Sequence, residues 1–183
     1  DELFVSQAAA REDTFRRSWK RIQYYHPQAG RILDVGTASG AFLKVAKDLG
    51  WNVAGCEPNT WLTTWCRQNY GIEVFAGTIF DMHLAADSFE VVSLWDVLEH
   101  TTDPKKVLEE CHRVLKKGGL LVVNYPDIGS IVSRLMGRKW VFLLSIHLYY
   151  FTPKTIKTLL TKTGFAPLEI RPHWQALELG YIF

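Results

Sequence analysis

The segment Ile32-Leu33-Asp34-Val35-Gly36-Thr37-Ala38-Ser39-Gly40 constrains the fold of this chain more than any other. A short apolar run passes into a loop bounded by two glycines. The amphipathic stretch Ala41–Leu49, closed by Gly50, follows at once. That order predicts a buried strand, a tight turn and a helix. Gly36 and Gly40 permit the sharp turn and a close backbone approach to a ligand. The first turn of the helix adds free N–H groups beside them. Glu57 closes the next apolar run, Asn52–Cys56, 21 residues beyond Gly36. A carboxylate at that spacing can accept both hydroxyls of a ribose.

The same unit repeats downstream. Helices are predicted over Thr60–Asn69, Asp103–Leu115 and Pro153–Thr163, the last with Pro at its first turn and Gly164 after its end. Strands are predicted over Glu73–Phe75, Phe89–Leu94, Leu120–Asn124, Phe165–Ile170 and Ala176–Phe183. With the two strands around the glycine loop, this gives an α/β fold. Its doubly wound sheet has seven strands, mostly parallel with the last antiparallel, and helices on both faces. Residues 1–27 stand apart as a helical cap, with Phe15, Trp19 and Ile22 at helical spacing among Arg11, Arg16, Arg17, Lys20 and Arg21. The basic run reads as a solvated face, or else as a contact for an acidic substrate or membrane surface. Tyr24 and Tyr25 are placed to cover a ligand at the first strand. Residues 28–183 form the main domain. Within it, 126–152 is too long for a simple loop and carries Trp140, Phe142, Leu143, Leu144, Tyr149, Tyr150 and Phe151. Such a connection at the carboxyl edge of a sheet is read as a lid or pocket wall.

Composition narrows the class. A length of 183 residues suits one core, and a net charge of +2 gives no strong field toward nucleic acid. Cys56, Cys66 and Cys111 form no CxxC pair, which argues against a disulfide framework and a cysteine zinc site. No secretory leader or membrane-length apolar run is present, so a cytoplasmic location is expected. The chain begins at Asp1 rather than Met, as a fragment or a processed chain would.

The loop also discriminates among nucleotides. A Walker sequence ending in GK[ST] is absent, and Gly-Thr-Ala-Ser-Gly is not GxGxxG, which disfavours an NAD-linked oxidoreductase. Asp34, two residues before Gly36, would repel a pyrophosphate but suits a cationic amino-acid end, such as the ammonium and sulfonium of S-adenosylmethionine. A bare strand-to-helix turn without ligand is the bland alternative; Asp34, the glycines and Glu57 together weigh against it.

Further motifs complete a pattern. They are Gly55-Cys56-Glu57-Pro58, Ser88-Phe89-Glu90-Val91-Val92, Trp95-Asp96-Val97-Leu98-Glu99-His100, Asp103-Pro104, Arg113-Val114-Leu115-Lys116-Lys117-Gly118-Gly119 and His147–Pro153. From about Arg31 to Phe165 the chain resembles the class I S-adenosylmethionine-dependent methyltransferases, and within them the bacterial branch near the ubiquinone-biosynthesis O-methyltransferases. The resemblance implies a Rossmann-like fold and S-adenosylmethionine as cofactor. It implies that Asp34, Gly36, Thr37 and Gly40 line the cofactor loop and that Glu57, with Pro58 beside it, holds the ribose. Thr78 and Ile79 would lie by the adenine, and Trp95 and Asp96 would complete the cofactor wall. Two departures stand out. Many relatives carry an acid where this chain has Thr78, and Cys-Gly where it has Thr37-Ala38.

Asp96, Glu99 and His100 follow the strand Phe89–Leu94 and would share one side of a helical turn. Three readings stay open: a capping cluster, substrate positioning or base work by His100, and a divalent metal site. Some relatives hold a metal with this segment and a further histidine, which His147 would supply; a metal is not the expected reading. His147 itself is either a core histidine or a base in the acceptor pocket. His26, His83, His112 and His173 lack such context and read as surface or structural. The expected activity is methyl transfer to a small acceptor, lipophilic or sugar-like, at oxygen, with His147 or His100 as base and no nucleic acid partner. The competing reading is a non-catalytic module that binds S-adenosylmethionine or a nucleotide as a sensor or partner.

Overall fold

A computed structural model describes residues 8–173. Five strands form its sheet: β1 (Arg31–Val35), β2 (Asn52–Glu57), β3 (Phe75–Ala76), β4 (Phe89–Trp95) and β5 (Leu115–Asn124). They lie in the order β3-β2-β1-β4-β5, and every pairing is parallel. The helices are α1 (Ala8–Tyr25), α2 (Ala41–Asp48), α3 (Thr60–Tyr70), α4 (Pro104–Val114), α5 (Ile131–Met136) and α6 (Pro153–Lys162). The doubly wound α/β reading holds, while the strand count differs from the expected seven. Phe165–Ile170 is not a strand. Pro167 removes an amide donor there, and Glu169 is drawn to α1 by a paired hydrogen bond from Arg21 at 2.6 and 2.7 Å. The expected antiparallel strand Ala176–Phe183 lies outside the described residues.

The central strands are buried on both faces, as crossover helices require. Alternate side chains feed two cores. On one face Leu33, Val35, Val92 and Leu94 pack with Val107, Leu108 and Cys111 of α4. On the other, Ile32, Val91 and Trp95 pack with Phe42 and Val45 of α2 and with Phe15, Trp19 and Ile22 of α1. The N-terminal helix therefore contributes three side chains to this second core. Asp34, between Leu33 and Val35, necessarily faces the α1 and α2 side.

The ends of the elements follow local chemistry. Asn59 caps α3, its side chain accepting from the amides of Trp61 and Leu62 at 3.0 and 3.3 Å. Gly71 closes α3 in the left-handed region at φ 59°. Asp103 caps α4 ahead of Pro104, and Thr152 with Thr155 forms a reciprocal cap on α6 ahead of Pro153.

Candidate active site

Register carries the sequence motifs to one edge. Asp34 of β1 is flanked by Gly55 of β2 and Ser93 of β4. Two residues further along lie Glu57, Trp95 and Asn124, at the carboxyl ends of β2, β4 and β5. Above them opens a cavity of about 780 Å³, lined among others by Gly36, Glu57, Pro58, Thr78, Ile79, Trp95 and Asp96. Small-molecule sites typically occupy roughly 300–1,000 Å³.

Asp34 is 2% exposed and accepts a hydrogen bond from Ser93 Oγ at 2.6 Å. Burial pushes its carboxyl up to about 7, against the hydrogen bond from Ser93 and the charge of Arg11. It lines a narrow crevice beside the main cavity, shared with Arg11, Thr37, Ser39 and Phe42.

The loop is shaped by the acid it was expected to serve. Gly36 has φ 71° and its Cα faces Val97 so closely that a β-carbon would meet Cγ2 at 2.7 Å. Ala38 is also left-handed, at φ 48°, and its amide donates to Glu57 Oε2 at 2.9 Å. Glu57 Oε1 accepts from the Asn59 amide at 3.0 Å. Glu57 is thus fixed by backbone donors from two loops while facing the cavity. Thr37 and Gly40 sit deeper than Gly36 and Ala38. Thr37 is buried, and its methyl occupies the space a side chain at position 55 would need. Gly40, at φ 79°, abuts the Cys66 sulfur of α3. Neither residue lines the main cavity, and Gly40 answers a packing demand.

At the β3 end Ile79 is buried, while Thr78 donates both its amide and its hydroxyl to Asp81 Oδ2, at 2.8 and 2.6 Å. The acid missing at position 78 is therefore present three residues on, folded back onto Thr78.

The other end of the cavity is built from Glu99, His100 and His147. Glu99 and His100 form a 3₁₀ turn, Leu98–His100, after β4. The Glu99 carbonyl accepts from the amides of Leu148 and Tyr149 at 2.7 and 3.2 Å. His100 Nδ1 lies 3.3 Å from the Ile146 carbonyl. A carbonyl only accepts, so Nδ1 carries the proton and Nε2 keeps its lone pair. These tethers set the two imidazoles 4.6 Å apart, edge to face. Glu99 is 1% exposed, and among the described residues neither carboxyl oxygen has a partner. Burial, with the nearby charge of Asp96 adding to it, raises its carboxyl to about 8. His147 Nδ1 is likewise buried without a partner among the described residues; burial first, then the charge of His100, holds its pKa below the ordinary value. One ligand atom from each of the three lies within 4.8 Å of the others, a grouping able to hold a divalent ion. Asp96 is not part of that group. It sits in the left-handed region at φ 57° and accepts from Asn124 Nδ2 at 2.5 Å.

The insertion closes this end. Phe142, Leu144 and Ile146 line the cavity, while Trp140 and Phe151 are buried anchors. Sequence reasoning missed the roof. Tyr24 is 72% exposed and Tyr25 bonds Glu169 at 3.2 Å, so neither covers the site. Arg11, Thr14 and Phe15, about three to four turns nearer the start of α1, line the cavity instead, and so does His173.

A family model described as a methyltransferase domain matches residues 8–170. A ubiquinone biosynthesis O-methyltransferase of Cereibacter sphaeroides is 27% identical over 154 residues, covering 78% of this chain and 62% of its own. One of the same name from Pseudomonas aeruginosa is 28% identical over 114 residues, covering 57% and 49%. The chain thus spans about three-fifths or less of the length of these relatives. A SAM-dependent methyltransferase from Archaeoglobus fulgidus has the same fold, with a TM-score of 0.73 at 22% identity over 91% of this chain and 75% of that one.

Proposed function

The chain belongs to the methyltransferase domain family, whose cofactor is S-adenosylmethionine, and from that premise we propose that it methylates an oxygen atom of a small-molecule acceptor. The observation that carries the acceptor assignment is the convergence of Glu99, His100 and His147 on the cavity just after β4, across β1 from Glu57 and Thr78 at β2 and β3. The cofactor fits the residues present. Glu57 would take the ribose hydroxyls, Thr78 and Ile79 would flank the adenine, and Asp34, Gly36 and Arg11 would surround the zwitterionic end. When bound, its sulfonium supplies a methyl group that is already activated.

The chain's own residues then hold the acceptor and manage one proton. His147 is neutral near pH 7, since its pKa lies below the ordinary value, and it accepts the proton of an acceptor hydroxyl. His100 offers Nε2 to the same space, and Glu99, protonated at neutral pH by its burial, donates a hydrogen bond to an acceptor oxygen. Phe142, Leu144 and Ile146 exclude water and match a lipophilic acceptor body. Where a divalent ion is bound, Glu99, His100 and His147 would hold it, and the ion would grip an acceptor's vicinal oxygens.

Calorimetric titration with S-adenosylhomocysteine, with NAD⁺ as control, tests the cofactor site. Transfer of a labelled methyl group to a panel of phenols, catechols and sugars, with and without a chelator, tests the acceptor. Tight S-adenosylhomocysteine binding with turnover on a hydroxyl acceptor supports the reading. Binding without turnover on any acceptor favours the sensor or partner module, and loss of turnover with chelator assigns the metal.

A further inference from the structure

His173 and Trp95 form a polar corner that the cofactor loop does not explain. Their rings lie 5.3 Å apart, and both residues line the main cavity. Trp95 Nε1 and His173 Nε2 are both buried, and among the described residues neither has a hydrogen-bond partner. An indole N–H left unpaired in a buried site is a net cost to the fold unless something else receives it. Orphaned groups of this kind gathered at one cavity wall point to a ligand that completes them.

The hydrogen-bond chain fixes which group does what. Ser18 Oγ donates its single proton to the Thr14 carbonyl at 3.0 Å. His173 Nδ1 lies 3.4 Å from the same Oγ. Ser18 has no second proton to give, so Nδ1 carries the hydrogen and donates to Ser18. The neutral ring therefore presents a lone pair at Nε2. Trp95 Nε1 can only donate. The corner thus offers one acceptor and one donor side by side, complementary to an ammonium and a carboxylate on one carbon.

Position in the sheet says which part of a ligand arrives there. The ribose acid Glu57 and the adenine wall at Thr78 lie by β2 and β3, while Trp95 ends β4, on the far side of β1. A ligand laid across these strand ends with its adenosine at β2 and β3 brings its amino-acid end to β1 and β4. Arg11 and Asp34 line the adjoining crevice with Trp95. We propose that His173 and Trp95 are positioning residues for the amino-acid end of the cofactor, His173 Nε2 accepting from its ammonium and the Trp95 indole donating to its carboxylate. The proposal rests on the cofactor assignment made above.

The test compares two ligands on the whole chain by calorimetry. S-adenosylhomocysteine carries the amino-acid end; 5′-methylthioadenosine keeps the adenosine and the thioether but lacks it. His173→Ala is expected to weaken S-adenosylhomocysteine roughly tenfold or more while leaving methylthioadenosine unchanged. His173→Gln, which keeps an acceptor, restores part of that loss, and Trp95→Phe, which keeps the ring, repeats the selective loss. Equal loss for both ligands, or no loss for either, overturns the proposal and leaves the cofactor site standing. Failure of the wild-type chain to bind either ligand overturns the cofactor assignment itself.

Discussion

Ser93 Oγ donates to Asp34 Oδ1 at 2.6 Å across the seam where β1 and β4 are in register. That bond satisfies part of a carboxyl that is otherwise taken almost entirely out of water. The site therefore holds a buried acid whose ionised form is unfavourable until a cation meets it.

The first prediction concerns pH. A carboxyl held at about 7 in the folded chain against 3.8 ordinarily makes ionisation cost the fold about 4 kcal/mol more than the unfolded chain. Stability is complete below the unfolded value near 4, falls as pH rises toward 7, and stays low above it. Asp34→Asn removes the titration but keeps an acceptor for Ser93. Urea unfolding should find the variant more stable than wild type at pH 8, with the two converging near pH 4. A gap that does not change with pH contradicts the assignment.

Ala38 gives a second prediction. Its left-handed backbone, φ 48°, costs a residue with a β-carbon about 1–2 kcal/mol, part of which glycine returns as entropy of the unfolded chain. Ala38→Gly should raise stability by about 0.5–1 kcal/mol in thermal or urea melts, with the bond to Glu57 intact. Ala38→Val should lower it.

These sites also show how far the sequence could be read. The strand–glycine–helix unit, the acid that closes β2 and the core face of α1 follow from local spacing: Leu33 to Gly36, Glu57 at its fixed distance, and Phe15, Trp19 and Ile22 one helical turn apart. What escaped depends on contacts between distant residues. Ser18 and His173 meet across 155 positions, and no periodicity announces such a pair. Arg11 looked like one more cation on a solvated face, yet it lines the cavity while Arg16 pairs with Asp48 at 2.9 Å and Arg21 with Glu169. The expected trio of Asp96, Glu99 and His100 was drawn on helical spacing. The left-handed turn at Asp96 directs that acid to Asn124, and main-chain bonds bring His147 into its place.

Glu57 tests the cofactor end. Glu57→Ala removes the ribose acceptor and the carboxylate that receives the Ala38 and Asn59 amides. S-adenosylhomocysteine affinity should fall at least tenfold, and methylthioadenosine affinity with it, because both ligands carry the ribose. A ligand-selective effect in calorimetry would place the ribose elsewhere.

His147 tests the chemistry. His147→Ala should lower kcat by about 10²–10⁴-fold on a hydroxyl acceptor, the range for losing a general base. S-adenosylhomocysteine affinity should stay unchanged, since the imidazole stands at the acceptor end. His100→Ala should give a smaller loss. Unchanged turnover in the His147 variant would remove it from the role of base.

The wall that the insertion gives the cavity is held by its main chain. Leu148 and Tyr149 bind the Glu99 carbonyl through their amides, and His100 bonds to the Ile146 carbonyl. Peptide groups are common to nearly every residue, so these attachments place little demand on what the insertion carries. Phe142, Leu144 and Ile146 can be exchanged while the reacting groups keep their positions. On the reading proposed above, a change of acceptor preference would then be a short inheritable edit confined to the side chains of one loop.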